Sequence, residues 1–128
     1  MTQLKKVAKL WLQKAGTDFV HAQQSLELAS LDWAQLAAQQ SAEKALKAVL
    51  ILRGFGLIKI HDLQMLARNA DAPKEIITHA STLNSFYTIS RYPDVDLDMT
   101  EEQMLKATQD AIESAKAVIE WCKRQIKI

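Results

Sequence analysis

Cysteine is almost absent from this 128-residue chain, and residues that break helices are scarce. The single cysteine, Cys122, excludes an internal disulfide and any cysteine-cluster metal site. Only three glycines and two prolines occur, while alanine, leucine, glutamine, lysine and glutamate are abundant, which favours long helices. No run of apolar residues is long enough to span a membrane, and the basic N-terminal segment lacks the apolar core of a signal peptide. We therefore expect one all-α domain over residues 1–128, located in the cytoplasm.

Apolar residues recur every three or four positions in several segments, which predicts an up-and-down bundle of about five helices. The predicted helices cover about residues 4–29, 33–53, 61–72, 73–90 and 101–126. Ser30 or Asp32 could cap the second helix. Thr100 and Gln103 have the spacing of a capping box at the start of the fifth helix, whose apolar stripe is the most regular in the chain.

The connectivity of such a bundle predicts where polar residues meet, because helices joined by short loops pack antiparallel. We expect His61, Arg91, Tyr92 and Asp94 to lie together at the end of the bundle where the second helix ends. Arginine offers a planar fork of donors to a phosphate, and Tyr92 could stack on a base. Alternatively, His61 and Asp62 cap the third helix, and Arg91 pairs with Asp94 to order a loop.

Basic residues open the chain, although its formal net charge is only +1. Four lysines precede the first acidic residue, Asp18: Lys5, Lys6, Lys9 and Lys14. They form either a basic patch or an ordinary solvated helix face. The connectivity places them at the same end of the bundle as Arg53.

Asp18 is an unusual residue for its position, since it lies between alanines on the apolar side of the first helix. An unpaired carboxylate would be costly there. Asp18 therefore either pairs with a cation, Arg91 or Lys44, or lies at the edge of the apolar stripe.

Other kinds of site find little support in the sequence. His21 and His79 have no second ligand at metal-binding spacing, so we expect no metal site. The segment at residues 54–56 lacks the lysine and hydroxyl residue of a phosphate loop, and no nucleophile motif occurs. The three tryptophans are expected to be core or interface anchors: Trp11, Trp33 and Trp121.

Several of these segments together resemble the HEPN domain, a small all-α module of prokaryotes and of some large eukaryotic proteins. The segments are Trp-x3-Ala-x2-Asp at residues 11–18, residues 39–48, Gly54, His61-Asp62-Leu63, Arg91-Tyr92-Pro93-Asp94, and a last helix with spaced alanines and Trp121. They span nearly the whole chain, in order and at suitable spacing.

The resemblance implies a helical bundle that commonly forms homodimers and often associates with a minimal nucleotidyltransferase. Members are held to bind nucleotides or nucleic acid in a polar cleft, often near the dimer interface. Many are metal-independent RNases, frequently toxins of toxin–antitoxin pairs, with an arginine followed by a histidine after four to six residues. No histidine follows Arg91 in this chain, and seven residues including Gly54 and Gly56 separate Arg53 from His61.

These features favour a homodimeric module that binds a nucleotide or a nucleotidyltransferase partner and is not catalytic by itself. Its candidate binding residues are His61, Arg91, Tyr92, Lys44, Lys47 and Asp18. One alternative is a metal-independent RNase, with His61 as acid or base and Arg91 stabilising the charge on phosphorus. The other is a purely structural dimerisation domain. None of these functions calls for a cofactor.

Overall fold

The computed structural model describes residues 3–56, 59–91 and 99–127, with side chains for all of these except residues 85–91. The described residues form five helices: α1 (Gln3–Glu27), α2 (Leu31–Leu52), α3 (Leu63–Asn69), α4 (Lys74–Arg91) and α5 (Glu101–Ile126). The predicted all-α bundle of five helices is confirmed. None of the described helices is both long and apolar enough to cross a lipid bilayer.

Local sequence explains most helix boundaries. The predicted capping box is present at the start of α5. Thr100 Oγ1 accepts from the backbone N–H of Gln103, and Gln103 Oε1 accepts from the backbone N–H of Thr100. Ser30, one of the two residues expected to cap α2, occupies its N-cap position, but its side chain makes no capping bond. Instead, Ala29 adopts a left-handed φ of 60°, which ends α1 at Glu27 and turns the chain into α2.

α2 is the central helix of the bundle, because it packs against each of the other four. Buried alanines line the contact between α1 and α2, and such small side chains let two helices approach closely. The largest fully buried apolar side chains are Leu46 and Leu50 on α2, Leu63 and Leu66 on α3, and Leu83 on α4. Cys122 is also fully buried, and burial raises the pKa of its thiol, so it packs as a small apolar group.

Two contacts fix the relative direction of α2 and α5. Near the start of both helices, Gln35 Nε2 donates to Thr108 Oγ1 at 2.8 Å. Near their ends, Arg53 Nη2 donates to Gln125 Oε1 at 3.4 Å. The two helices are therefore parallel, and we call the two ends of the bundle the Gln35 end and the Arg53 end.

The expectation that His61 and Arg91 meet at the Arg53 end is wrong. After α2 the chain runs back along the bundle, so that His61 pairs with Glu43, about 15 Å before Arg53 along α2. α3 then returns to the Arg53 end, where the Arg53 side chain bonds the Ala70 carbonyl. α4 consequently starts at the Arg53 end, and its last residue, Arg91, lies at the Gln35 end.

Candidate functional site

A row of polar residues runs along α2, a helix that otherwise contributes much of the apolar core. The row is Gln35, Gln39, Glu43 and Lys47, each four residues after the last. Residues at this spacing share one helix face. Gln35, Gln39 and Lys47 are buried, and the Glu43 side chain is largely buried. Buried polar residues are normally hydrogen-bonded, so the partners of this row locate the candidate site.

A groove of about 360 Å³ opens over the middle of this row, between α2, the start of α3 and α4. Gln39, His61, Asp62 and Asn84 line it. Its size is within the range of small-molecule sites.

The wall of the groove is fixed by Asp62, the N-cap of α3. Asp62 Oδ1 accepts from the backbone N–H groups of Gln64 and Met65, at 3.0 and 3.3 Å. Asn84 on α4 donates to the same oxygen at 2.7 Å and accepts from the Leu63 N–H at 2.9 Å. The bond from Asn84, followed by those from the helix N-terminus, lowers the pKa of Asp62, so this wall is anionic at neutral pH.

Glu43 holds His61 at the rim of the groove. His61 Nδ1 lies 3.2 Å from both carboxylate oxygens of Glu43, and Lys47 Nζ lies 3.3 Å from Oε2 of the same carboxylate. The His61 side chain is 71% exposed, whereas that of Lys47 is 7% exposed. Lys47 therefore supports Glu43 from below, and His61 Nε2 remains available to a ligand.

Gln39 is the least satisfied polar residue of the groove. The residue is only 4% exposed, but its amide, which forms no hydrogen bond with the described residues, is open to the groove. An amide in this position can exchange hydrogen bonds with water for hydrogen bonds with a ligand.

The other predicted site residues lie away from this groove. Asp18 pairs with a cation, which is one of the two alternatives expected from the sequence. Lys44 Nζ bonds Asp18 Oδ2, and Lys14 Nζ lies 3.8 Å from Asp18 Oδ1. Lys44 and Lys14 line a second, mainly apolar groove between α1 and α2, together with Leu10 and Trp11. The structure thus separates Asp18 and Lys44 from His61.

Arg91 is the last residue of α4, two helical turns beyond Asn84 on the side of the Gln35 end. Its backbone is therefore about 10 Å along the helix from the groove. The Arg91 side chain, Tyr92 and Asp94 lie outside the described residues.

Four residues of the groove or its rim are not among the candidate binding residues from the sequence: Gln39, Glu43, Asp62 and Asn84. The four-residue spacing of polar residues in an apolar helix is a usable signal for the first two. The role of Asn84 at the start of α3 depends on a contact 22 residues away along the chain. Local sequence gives no sign of such a contact.

The tryptophans divide into two groups. Trp121 is buried and Trp11 packs partly against the core, as expected. Trp33 is 63% exposed, so it is not a core residue. Among the described residues, no group of three or more histidine, cysteine, aspartate or glutamate side chains could hold a metal ion.

Comparisons with known proteins agree with this architecture. A scan of protein-family models matches the HEPN domain over residues 8–125. The chain belongs to the HEPN domain family. The crystal structure of TT1696 from Thermus thermophilus superposes with a TM-score of 0.81 at 29% identity, over 92% of this chain and 97% of that chain.

A second solved structure, ST0689, is described as an archaeal HEPN homologue. It superposes with a TM-score of 0.78 at 29% identity, over 99% of this chain and 100% of that chain. A search of the curated proteins finds no match. The predicted membership of the HEPN family is confirmed.

Proposed function

We propose that this HEPN domain binds a nucleotide in the groove between α2, α3 and α4 and is not catalytic by itself. The observation that supports the proposal is the Gln39 amide, which opens into the groove without a hydrogen-bond partner among the described residues. A primary amide offers both donors and an acceptor. That combination matches the edge of a nucleobase, which also presents donors and acceptors side by side.

The charges around the groove favour one orientation of the nucleotide. The carboxylates of Asp62, in the wall, and of Glu43, beside His61, would repel a phosphate inside the groove, whereas they can accept from base amino groups or ribose hydroxyls. The phosphates would then lie toward the rim, near His61 Nε2 and the end of α4 that carries Arg91. Lys44 and Asp18 have no direct contact with the ligand in this arrangement.

Gln39→Met tests the proposal, because methionine keeps the volume of glutamine and removes its hydrogen bonds. Isothermal titration with AMP, ATP and GTP is expected to show binding to the wild type and a loss of about 2- to 10-fold in the variant. Gln40→Met is the matched control, since Gln40 is the exposed neighbour on the same helix.

His61→Ala should also weaken binding. His21→Ala should not, because His21 is an exposed histidine of α1 away from the groove.

Three results would contradict the proposal. The first is the absence of binding heat for all three nucleotides, and the second is equal affinities for Gln39→Met and the wild type. The third is cleavage of RNA in EDTA that Arg91→Ala abolishes, which would favour the RNase alternative over a non-catalytic module. Thermal melts of both glutamine variants should match the wild type, since neither amide bonds another described residue.

We also propose that the domain is a homodimer that uses the turn between α1 and α2. Leu28 and Trp33 flank this turn and are 79% and 63% exposed. Exposed tryptophan is enriched at protein interfaces, where it supplies a large apolar area. A minimal nucleotidyltransferase, the partner that the family resemblance implies, is the second candidate for this surface.

Light scattering after gel filtration tests the dimer. We expect the wild type at twice the 14.4 kDa mass of the chain and Trp33→Glu at the monomer mass. Phe55→Glu is the control, since Phe55 is an exposed aromatic residue at the opposite end of the bundle. A monomeric wild type would contradict the homodimer, and Trp33-dependent retention on an immobilised nucleotidyltransferase would then assign the surface to that partner.

A further inference from the structure

A second groove, the α1–α2 groove, is separate from the groove proposed for a nucleotide. Its volume is about 220 Å³, and Leu10, Trp11, Lys14 and Lys44 line it. Three of these residues share one face of α1, because Lys14 follows Leu10 by four residues and Trp11 by three. Lys44 completes the groove from α2. The proposed binding of a nucleotide uses none of these side chains, so the α1–α2 groove is a candidate site of its own.

The apolar part of the α1–α2 groove consists of a leucine and a tryptophan. Trp11 packs partly against the core, which holds its indole in place, and it also lines the groove. Leu10 beside it is 64% exposed. A single exposed leucine is ordinary on a protein surface, but a leucine next to a fixed indole in a concave site forms a platform for an apolar ligand. An aromatic ligand suits this platform best, since ring pairs gain free energy beyond that of the buried area.

The charged part of the groove has one more cation than anion. Two ammonium groups, of Lys14 and Lys44, share the single carboxylate of Asp18. The Lys44 side chain is 24% exposed and bonds Asp18 directly. The Lys14 side chain is 60% exposed, and its ammonium nitrogen lies 3.8 Å from Asp18, which is too long for a hydrogen bond. Lys14 can therefore turn toward a bound anion without breaking the bond that neutralises the buried carboxylate.

We propose that the α1–α2 groove binds a small aromatic monocarboxylate. Its ring lies on Trp11 and Leu10, and its carboxylate lies between the ammonium groups of Lys14 and Lys44. The single excess cation matches a monoanion, whereas the second charge of a phosphate monoester would be repelled by Asp18. The volume limits the ligand to one or two rings, since sites for drug-sized molecules have about 300–1,000 Å³.

Titration with 1-naphthoate, which joins two fused rings to one carboxylate, tests the proposal. Proton–nitrogen NMR resolves the indole N–H signals of the three tryptophans. We expect the signal of Trp11 to shift and those of Trp33 and Trp121 to stay in place, with a Kd of about 0.1–1 mM for a ligand of this size. The neutral alcohol 1-naphthylmethanol should bind at least about fivefold more weakly, because it lacks the charge. The dianionic 1-naphthyl phosphate should also bind more weakly than the acid.

Lys14→Met tests the contact with the carboxylate, and the exposure of Lys14 means that its loss spares the fold. Binding of 1-naphthoate should weaken by about 3- to 10-fold. Lys116→Met, the same change at an exposed lysine of α5, should bind as the wild type. Leu10→Ala tests the apolar platform and should weaken binding by about 2- to 5-fold. Its control is Leu105→Ala, since Leu105 is an exposed leucine of α5.

Several results would overturn the proposal. An unshifted Trp11 signal, or equal shifts of all three indole signals, would contradict the site. Equal affinities of Lys14→Met and the wild type, or equal affinities for the acid and the alcohol, would contradict the role of charge. Tighter binding of a short peptide that ends in phenylalanine would assign the groove to a protein C-terminus instead. Gln39→Met should bind 1-naphthoate as the wild type does, so this site and the nucleotide groove can fail independently.

Discussion

At the start of α3, the Asp62 carboxylate accepts hydrogen bonds from two backbone N–H groups of its own helix and from Asn84 on α4. The same side chain therefore caps a helix of only seven residues and ties it to the neighbouring helix. Such a short helix has little stability of its own, so its position depends on these bonds. The groove beside it depends on them in turn, because Asp62 and Asn84 form its wall.

Asp62→Ala is expected to lower the free energy of unfolding at pH 7 by about 1–2 kcal/mol, the usual cost of losing an N-cap. Folding lowers the pKa of Asp62 below its ordinary value of 3.8. The stabilisation that the ionised Asp62 carboxylate provides is therefore fully present above pH 3.8. It is lost as the pH falls through the lower pKa that Asp62 has in the folded protein. Urea unfolding at pH 7 and at pH 2.5 should show a difference between wild type and variant that shrinks at the lower pH.

Asp110→Ala is the control for this experiment, since Asp110 forms only a surface ion pair with Lys106. Exposed pairs of this kind contribute little. We expect a change below about 0.5 kcal/mol at pH 7. A difference between Asp62→Ala and wild type that is constant over the whole pH range would contradict the role assigned to the ionised carboxylate.

Among the elements, α2 combines two properties that usually exclude each other: it is the most buried helix and it carries a row of polar side chains. Each member of the row has a different environment. Gln35 reaches α5, Gln39 lines the groove, and Glu43 joins Lys47 to His61. The polar face of α2 therefore lies within the bundle, and only its middle is accessible to a ligand.

Gln35 provides a test of the part of this row that is closed to solvent. Its Nε2 donates to Thr108 Oγ1, but its Oε1 is buried without a partner among the described residues. Gln35→Met keeps the volume and removes this unsatisfied oxygen together with the bond to Thr108, whose hydroxyl still donates to the Met104 carbonyl. We therefore expect a free energy of unfolding equal to the wild type or up to about 2 kcal/mol higher. Thr108→Val should instead lower it by about 1–3 kcal/mol, because the Gln35 amide would lose its oxygen acceptor and keep only the weak acceptor Met104 Sδ.

Urea denaturation of both variants measures these changes. A clear destabilisation by Gln35→Met would contradict the expectation that the unpartnered Oε1 costs at least as much as the bond to Thr108 contributes. Equal effects of the two substitutions would contradict the expectation that the Gln35 amide is costly once Thr108 no longer accepts from it.

For the molecule as a whole, the sequence predicts the helices well and their arrangement less well. The predicted bounds of α5 agree with the structure to within a residue, because its apolar stripe is regular and its capping box is local. The predicted end of α1 and start of α2 are each displaced by about two residues, since Ala29 adopts a left-handed conformation that is uncommon for alanine. Helix periodicity and caps are local properties, and local properties can be read from a sequence.

The end at which the polar residues meet could not be predicted in the same way. The error lies in the segment between α2 and α3, which has no periodic pattern to show its direction. Two tertiary contacts decide its course: His61 with Glu43, and Arg53 with the Ala70 carbonyl. The first turns the chain back along the bundle, and the second returns α3 to the Arg53 end, so the direction of α4 is opposite to that expected.

The central position of α2 has a consequence for how the domain unfolds. Because every other helix packs on α2, and α1 has no contact interface with the described part of α4, no pair of outer helices forms a complete core once α2 is removed. Local opening is then confined to elements with little packing of their own, such as α3. Loss of α2 is loss of the whole core, so the bundle has the architecture of a single cooperative unit that unfolds in one step.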